Sequence, residues 1–310
     1  MATPILLDCD PGHDDAIAIL LAYADPRVDL LGITTVAGNN TVDKCTLNAR
    51  RVCTVAGIEG VPIAQGAQAP LARSLRISDK VHGASGLDGP EFGEPTVDVV
   101  GQDAVELMYD TLTRHPDPVT LVAVGPLTNV AWLLRKHPDA REHVRELVLM
   151  GGSTERGNAT PYAEANIYVD PEAAEEVWRS GLEITMVGLN VTHQARVTPA
   201  VLERLRELGT PLSGICVELM TFFTAAYQGL FSFDSPPLHD PVAVARVIDS
   251  SVVRCVDAPV MIETQGEHTF GATVVDLHHG SGRADNTHVA MGLDQEPFWD
   301  MVVNAVRVLG

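Results

Sequence analysis

The chain has 310 residues, 45% of them hydrophobic and only 5% aromatic, with 26 glycines, 20 prolines and a formal net charge of −20. A nucleic-acid groove or an anionic membrane surface is met by a basic face, so this balance argues against both as partners and leaves a neutral or cationic small molecule. The length admits one large core or two domains.

The N-terminal MATPILLDCD has neither a basic start nor a cleavage site, and no run of 18 apolar residues occurs, so neither a secretory leader nor a membrane span is expected. PILLDCD predicts a buried strand ending in acids, and HDDAIAILLAYA a helix. LLGITTVAGNN predicts a second strand closing on Gly-Asn-Asn, TVDKCTLNARRVCTVAG a helix stopped by Gly57, and VPIAQGA a short third strand. Residues 68–98 read as loop. Helix 102–114 follows, then the strand VTLVAVGP, the helix LTNVAWLLRKH and the strand RELVLMGG. Beyond the polar loop 153–169 come helix 171–180 and the strand EITMVGLNV. Helices fill much of 198–230, a Pro-rich turn spans 231–239, and DPVAVARVI returns to helix. Residues 252–294 read as short strands with hairpin turns before a last helix at 296–308.

Repeated strand–helix units imply an α/β fold, residues 1–310 forming a single domain. Its Rossmann-like core is a mostly parallel central sheet flanked by helices, with a smaller C-terminal strand extension. Cys9, Cys45, Cys53, Cys216 and Cys255 are odd in number and lack CxxC spacing, so they read as reduced core thiols of a cytoplasmic protein. Trp132, Trp178 and Trp299 fall on predicted helices and read as core or interface.

In such sheets ligands bind at the carboxyl ends of the strands. DCDPGHDD, AGNN, VGPLTN, MGG and LNV all fall there. Asp8, Asp10, Asp14 and Asp15 crowd into eight positions, and like charges so placed repel unless something positive sits among them. A hard cation, Ca²⁺ or Mg²⁺, is the simplest answer, because it takes carboxylate and carbonyl oxygens. LHDP sets His239 and Asp240 before a helix as a second acid for the site. Asn158, Glu164 and Asn166 share one polar loop and together both donate to and accept from hydroxyl groups, as on a sugar. His82 lies in the glycine-rich stretch VHGASGLDG. No Arg/Lys cluster adjoins these motifs, which argues against a phosphorylated substrate.

DCDPGHDDA (8–16), AGN (37–39), HGASGL (82–87), VGPLTN (124–129), MGG (150–152), NATPYAEANIYVDP (158–171) and LHDP (238–241) run in one order along the whole chain. In this the sequence resembles the nucleoside hydrolase family, the nucleoside N-ribohydrolases. The resemblance implies Ca²⁺ held by Asp10, Asp15, Asp240 and the Val124 carbonyl, with Asp10 as general base toward a water on the ion. It implies ribose hydroxyls held by Asp14, Asn39, Asn158, Glu164 and Asn166 with the Met150 backbone, His239 near the nucleobase as its proton donor, and His82 as a second histidine on a mobile loop. Asp8 is expected to support the site. Phe223 and Tyr227 match positions where broad-specificity members place base-stacking aromatics, so broad or inosine–uridine activity is the expectation. HGASGL points instead to pyrimidine preference, the alternative. Dimers or tetramers are typical of the family, so a homo-oligomer is expected.

Two other readings compete. A haloacid dehalogenase-type phosphatase also uses DxD after its first strand, but it needs Thr or Val where Gly12 stands. A calcium-dependent nucleoside sensor would keep the metal and sugar residues without turnover.

Overall fold

The computed structural model describes residues 2–310. Strand β1 (Thr3–Cys9) leads over Asp10-Pro11-Gly12 into α1 (His13–Ala24), whose residues His13 to Ala22 are all buried, acids included. β2 (Val28–Thr35), α2 (Val42–Val55), β3 (Ile63–Gln65), α3 (Asp79–His82) and α4 (Ala104–Arg114) follow. Then come β4 (Val119–Ala123), α5 (Thr128–Lys136), β5 (Val144–Met150), α6 (Ala165–Val169), α7 (Pro171–Arg179), β6 (Ile184–Val187) and α8 (Leu189–Thr192). The last part holds α9 (Pro199–Arg206), α10 (Pro211–Phe231), α11 (Asp240–Ile248), β7 (Val253–Ala258), β8 (Val260–Ile262), β9 (Thr273–Val275), β10 (Thr287–Leu293) and α12 (Gln295–Leu309).

One α/β domain results, built on an eight-stranded sheet in the order β3-β2-β1-β4-β5-β6-β10-β7. All neighbours are parallel except β10 and β7. Two apolar layers sandwich it. Ile5, Leu7, Val122 and Val148 face α1, α11 and α12, while Leu6, Leu121, Leu147 and Leu149 face α5 and α7. The alternation is the period-two pleat of strands buried on both faces. Strand order reverses between β1 and β4, so the crevice at their carboxyl ends is the natural ligand site.

Several local expectations change. The loops 68–98 and 153–169 hold the short helices α3 and α6, and residues 189–191 of the expected sixth strand turn into α8. Glu164 causes one of these differences: its carboxylate accepts from the Asn166 and Ile167 N–H groups and caps α6. The C-terminal extension is smaller than expected. Only β8 and β9 form a separate antiparallel pair, whereas β7 and β10 join the main sheet. Trp178 and Trp299 are core, but Trp132 is 43% exposed, with the Arg135 guanidinium 5.1 Å from its ring centre. Four cysteines are buried and Cys255 is half-buried, all of them free thiols. The 21-residue helix α10 is long and apolar enough by composition to cross a bilayer, yet its Phe223 and Tyr227 are built into the wall of a cavity.

Candidate active site

The carboxyl ends of β1, β2, β4 and β5 converge on a cavity bordered by α3, the loop before α6 and the end of α10. Asp14, Asn39, His82, Val124, Met150, Asn158, Glu164, Asn166, Phe223, Tyr227, His239 and Asp240 all line it, so residues far apart in the chain meet as the sequence reading expected. Asp10 and Asp15 are buried beneath that lining.

Backbone amides set the floor. Asp15 accepts from the Asp10 N–H at 3.0 Å and the Gly12 N–H at 2.9 Å, which locks its carboxylate at the start of α1. Asp10 Oδ2 accepts from the Asn39 N–H at 2.6 Å, while its Oδ1 is buried without a hydrogen-bond partner. A Cβ on Gly38 would stand 2.2 Å from Asp10 Oδ2, and one on Gly125 would stand 2.7 Å from Oδ1, so only glycine lets both turns press against this carboxylate. Asp8 supports the floor as expected, accepting at Oδ1 from the Thr34 hydroxyl at 2.7 Å and the Asn129 amide at 2.8 Å.

Oxygens of Asp14, Asp15 and Asp240 lie within 4.8 Å of one another. Asp10 is the fourth acid of the floor: the charge of Asp15 raises it, and its own charge in turn raises Asp240. Burial raises all four acids, and charge repulsion adds to it for three: Asp14 is pushed up to about 7 by desolvation and then by Asp15, and Asp10 and Asp240 rise well above the carboxylate range. Four such groups without a counter-charge would destabilise the fold by several kcal/mol. All-oxygen donors, mutual repulsion and the partnerless Oδ1 of Asp10 together fit a hard cation at this floor.

Above the floor, Asn166 Nδ2 donates to the Val124 carbonyl at 2.8 Å and the Met150 carbonyl at 3.0 Å, tying the ends of β4 and β5 together. Glu164 accepts at Oε2 from the Gly152 N–H at 3.0 Å, and burial raises it above the usual range. Asn158 Oδ1 accepts from the Ala165 N–H at 2.9 Å, leaving its amide protons for a ligand.

The opposite wall is aromatic and histidine-rich. His239 Nδ1 meets the Thr192 hydroxyl at 2.7 Å and Nε2 meets the Tyr227 hydroxyl at 2.9 Å. Burial, with His193 and Arg196 adding repulsion, lowers His239 to about 3, so it is a neutral member of a hydroxyl–imidazole–hydroxyl chain. His82, His13 and Phe223 cluster with their ring centres 5.3 Å (His13 to His82), 5.7 Å (His82 to Phe223) and 5.4 Å (His13 to Phe223) apart. The Asp88 carbonyl, an acceptor only, lies 2.8 Å from His13 Nε2, and the two Nδ1 atoms of His13 and His82 are 3.1 Å apart. His82 Nδ1 also accepts from the His13 backbone N–H at 3.3 Å.

Sequence reading missed His13, Thr192, Asn129 and Thr34. His13 and Asn129 sit inside quoted motifs, where the neighbouring acids and glycines drew attention. Thr192 gives no signal of its own, because only the fold brings the end of α8 against α11.

The chain matches the family described as "Inosine-uridine preferring nucleoside hydrolase" over residues 5–300. It is 47% identical over 311 aligned residues to the pyrimidine-specific ribonucleoside hydrolase RihA of Salmonella arizonae, covering 100% of both chains. To the protein of the same name from Escherichia coli O1:K1 / APEC it is 46% identical, covering 99% of each. Among solved structures, the purine-preferring ribonucleoside hydrolase from Gardnerella vaginalis superposes with a TM-score of 0.93 at 29% identity, covering 99% of each chain.

Proposed function

The chain belongs to the inosine-uridine preferring nucleoside hydrolase family and is a nucleoside N-ribohydrolase, and from that premise we propose that it cleaves pyrimidine ribonucleosides, uridine and cytidine ahead of inosine, to ribose and free base with Ca²⁺ at the aspartate floor. The carrying observation is the triangle of Asp14, Asp15 and Asp240 at a cavity lined by Asn39, Asn158, Glu164 and Asn166 and by His82, Phe223, Tyr227 and His239. The preference for pyrimidines replaces the broad or inosine–uridine expectation drawn from Phe223 and Tyr227. It is supported by the description of full-length relatives at 46–47% identity. Tyr227 also has a second duty, since its hydroxyl is bonded to His239 and is not merely part of a stacking face.

Asp14, Asp15 and Asp240 would hold the cation, with Asp10 and the Val124 carbonyl completing the set. Bound there, it would lower the pKa of a water and grip the ribose diol. Asp10 offers its partnerless Oδ1 as the base that takes the water's proton. Asn39, Asn158, Glu164 and Asn166 orient the sugar. As the N-glycosidic bond breaks, positive charge grows on the ribose ring, and the acidic floor stabilises it. The base leaves with the bonding electrons and needs a proton. The Thr192–His239–Tyr227 chain supplies one through neutral donors, since a nearby cation further disfavours an imidazolium.

His239→Ala tests that chain. Loss of a general acid costs about 10²- to 10⁴-fold, so kcat on uridine should fall by about that amount. Turnover of p-nitrophenyl riboside, whose leaving group needs no proton, should stay within about fivefold. Equal losses on both substrates would reject the leaving-group role.

A panel of nucleosides tests the specificity. Ribose release should rank uridine and cytidine at least about tenfold above inosine in kcat/KM, a difference of about 1.4 kcal/mol. 2′-Deoxyuridine should be turned over at least about a hundredfold more slowly than uridine, because the diol loses one oxygen that faces the floor. Inosine equal to or above uridine would return the broad reading.

A further inference from the structure

The loop that follows His82 is folded on itself. The Asp88 carboxylate accepts from the Ala84 N–H at 2.9 Å and from the Ser85 N–H at 3.0 Å. Side chains from other elements then tie the loop down at three carbonyls. That of Ala84 accepts from Lys44 Nζ at 2.6 Å and Asn40 Nδ2 at 3.3 Å, and that of Asp88 meets His13 Nε2 at 2.8 Å. The Ser85 carbonyl accepts from Asn48 Nδ2 at 3.0 Å. Asn48 differs from the other three, because its Nδ2 donates a second time, to the Pro11 carbonyl at 3.0 Å. Pro11 lies in the turn between Asp10 and Asp14. One amide group therefore joins the turn that carries the floor aspartates to the loop that carries His82.

Asn48 is fully buried in the middle of α2. Asparagine is a weak helix former, and a buried amide left without partners is costly, so neither propensity nor packing favours it there. Two carbonyls, acceptors only, matched by two amide protons account for its place. The fit is close on both sides. A Cβ on Gly86 would stand 2.9 Å from Asn48 Nδ2, and one on Gly12 would stand 2.5 Å from His82 Nδ1. His82 inherits its position from this joint. Its Nδ1 rests against the backbone of Gly12 and His13, whereas its Nε2 has no partner among the described residues and the side chain lines the cavity. The height of the ring over the aspartates thus follows from the distance between loop and turn, which Asn48 spans. We propose that Asn48 is a positioning residue for the nucleoside site: it lies outside the cavity lining and acts by holding His82 in place relative to the aspartate floor. This rests on the nucleoside hydrolysis proposed above.

The test is a double-mutant cycle on the calcium-loaded enzyme, read as kcat/KM for uridine. Asn48→Ala should lower it at least about tenfold. In a His82→Ala background the same substitution should cost less than about twofold, because changes that act through one shared contact are not additive. Calcium affinity, measured by calorimetry, should stay within about threefold, since Asp15 keeps its own bonds to the Asp10 and Gly12 N–H groups. A loss of the same size in both backgrounds, or calcium affinity that falls by as large a factor as kcat/KM, would make Asn48 a support of the floor or of the fold and overturn the proposal. Wild-type turnover in Asn48→Ala or in His82→Ala would overturn it as well. If Asn48→Ala does not fold, Gly86→Ala presses on the same amide from the loop side and carries the same cycle, with the same non-additivity expected. If the wild type cleaves no nucleoside, uridine affinity replaces kcat/KM. A loss on Asn48→Ala that disappears without His82 then keeps the positioning role while the hydrolase reading fails, and a loss that persists without His82 rejects the positioning role too.

Discussion

Asp10→Asn should leave a folded protein whose kcat/KM for uridine falls by about 10²- to 10⁴-fold, the range expected when a general base is removed. The geometry makes this the sharpest single change in the site. Asp10 Oδ2 is fixed by the Asn39 N–H, and Oδ1 is buried with nothing to bond. An amide keeps the shape but neither accepts a proton at neutral pH nor adds negative charge beside the ring as the bond breaks. The same substitution removes one of four buried like charges, so in chelator the variant should melt at or above the wild type. Activity lost with stability kept or raised is the signature of a group retained for chemistry. Wild-type turnover in Asp10→Asn would remove Asp10 as the base. Loss of activity together with a lower Tm in chelator would mean that the carboxylate is structural.

Stripping the cation is expected to abolish ribose release and to lower Tm by about 8 °C at pH 7.5. A ligand held at about a thousand times its Kd stabilises by about 4 kcal/mol, and for a chain of this size each kcal/mol corresponds to about 2 °C. The pH dependence has a definite sign. Burial pushes Asp8 and Asp14 up to about 7, the latter with help from Asp15, against about 3.9 in an unfolded chain. Between those values the cation-free native state holds more protons than the unfolded chain, so its stability falls as pH rises from about 4 to about 7. A bound cation keeps the floor carboxylates ionised in the native state and flattens that slope. Melting curves with Ca²⁺ and with chelator, taken across pH 5 to 8, should therefore diverge as pH rises. Curves that stay parallel, or protein that keeps full turnover after chelation, would show that the floor needs no ion.

Much of this molecule is legible in its sequence, for a physical reason. Strands buried on both faces read as apolar runs, and the acids of DCDPGHDD follow the first of them, so both the sheet and the floor of the site are local patterns. Asp10, Asp14, Asp15 and Asp240 announce themselves because crowded buried carboxylates have few explanations. The short helices α3, α6 and α8 do not, because each is fixed by contacts outside its own segment or by a single cap such as Glu164 on α6. β7 and β10 are similar: their residues predict strands, but whether they form a separate extension or close the main sheet is set by pairing partners far away, Thr185 and Met186 of β6 among them.

The sequence by itself determined the α/β class, the aspartate floor and the amide-bearing loop of Asn158 and Asn166, since each depends on residue types at fixed short spacing. Only the tertiary structure decided the rest. It drew the Asn39 N–H onto one oxygen of Asp10 and brought Asp240, at the start of α11, to Asp14 and Asp15. It joined Thr192, His239 and Tyr227 from α8, the α11 start and α10 into one chain of hydrogen bonds. Hydrogen bonds and charge interactions act over a few ångströms of space, whatever the separation along the chain, so partners contributed by different elements become visible only once the sheet has set the positions of the loops at its edge.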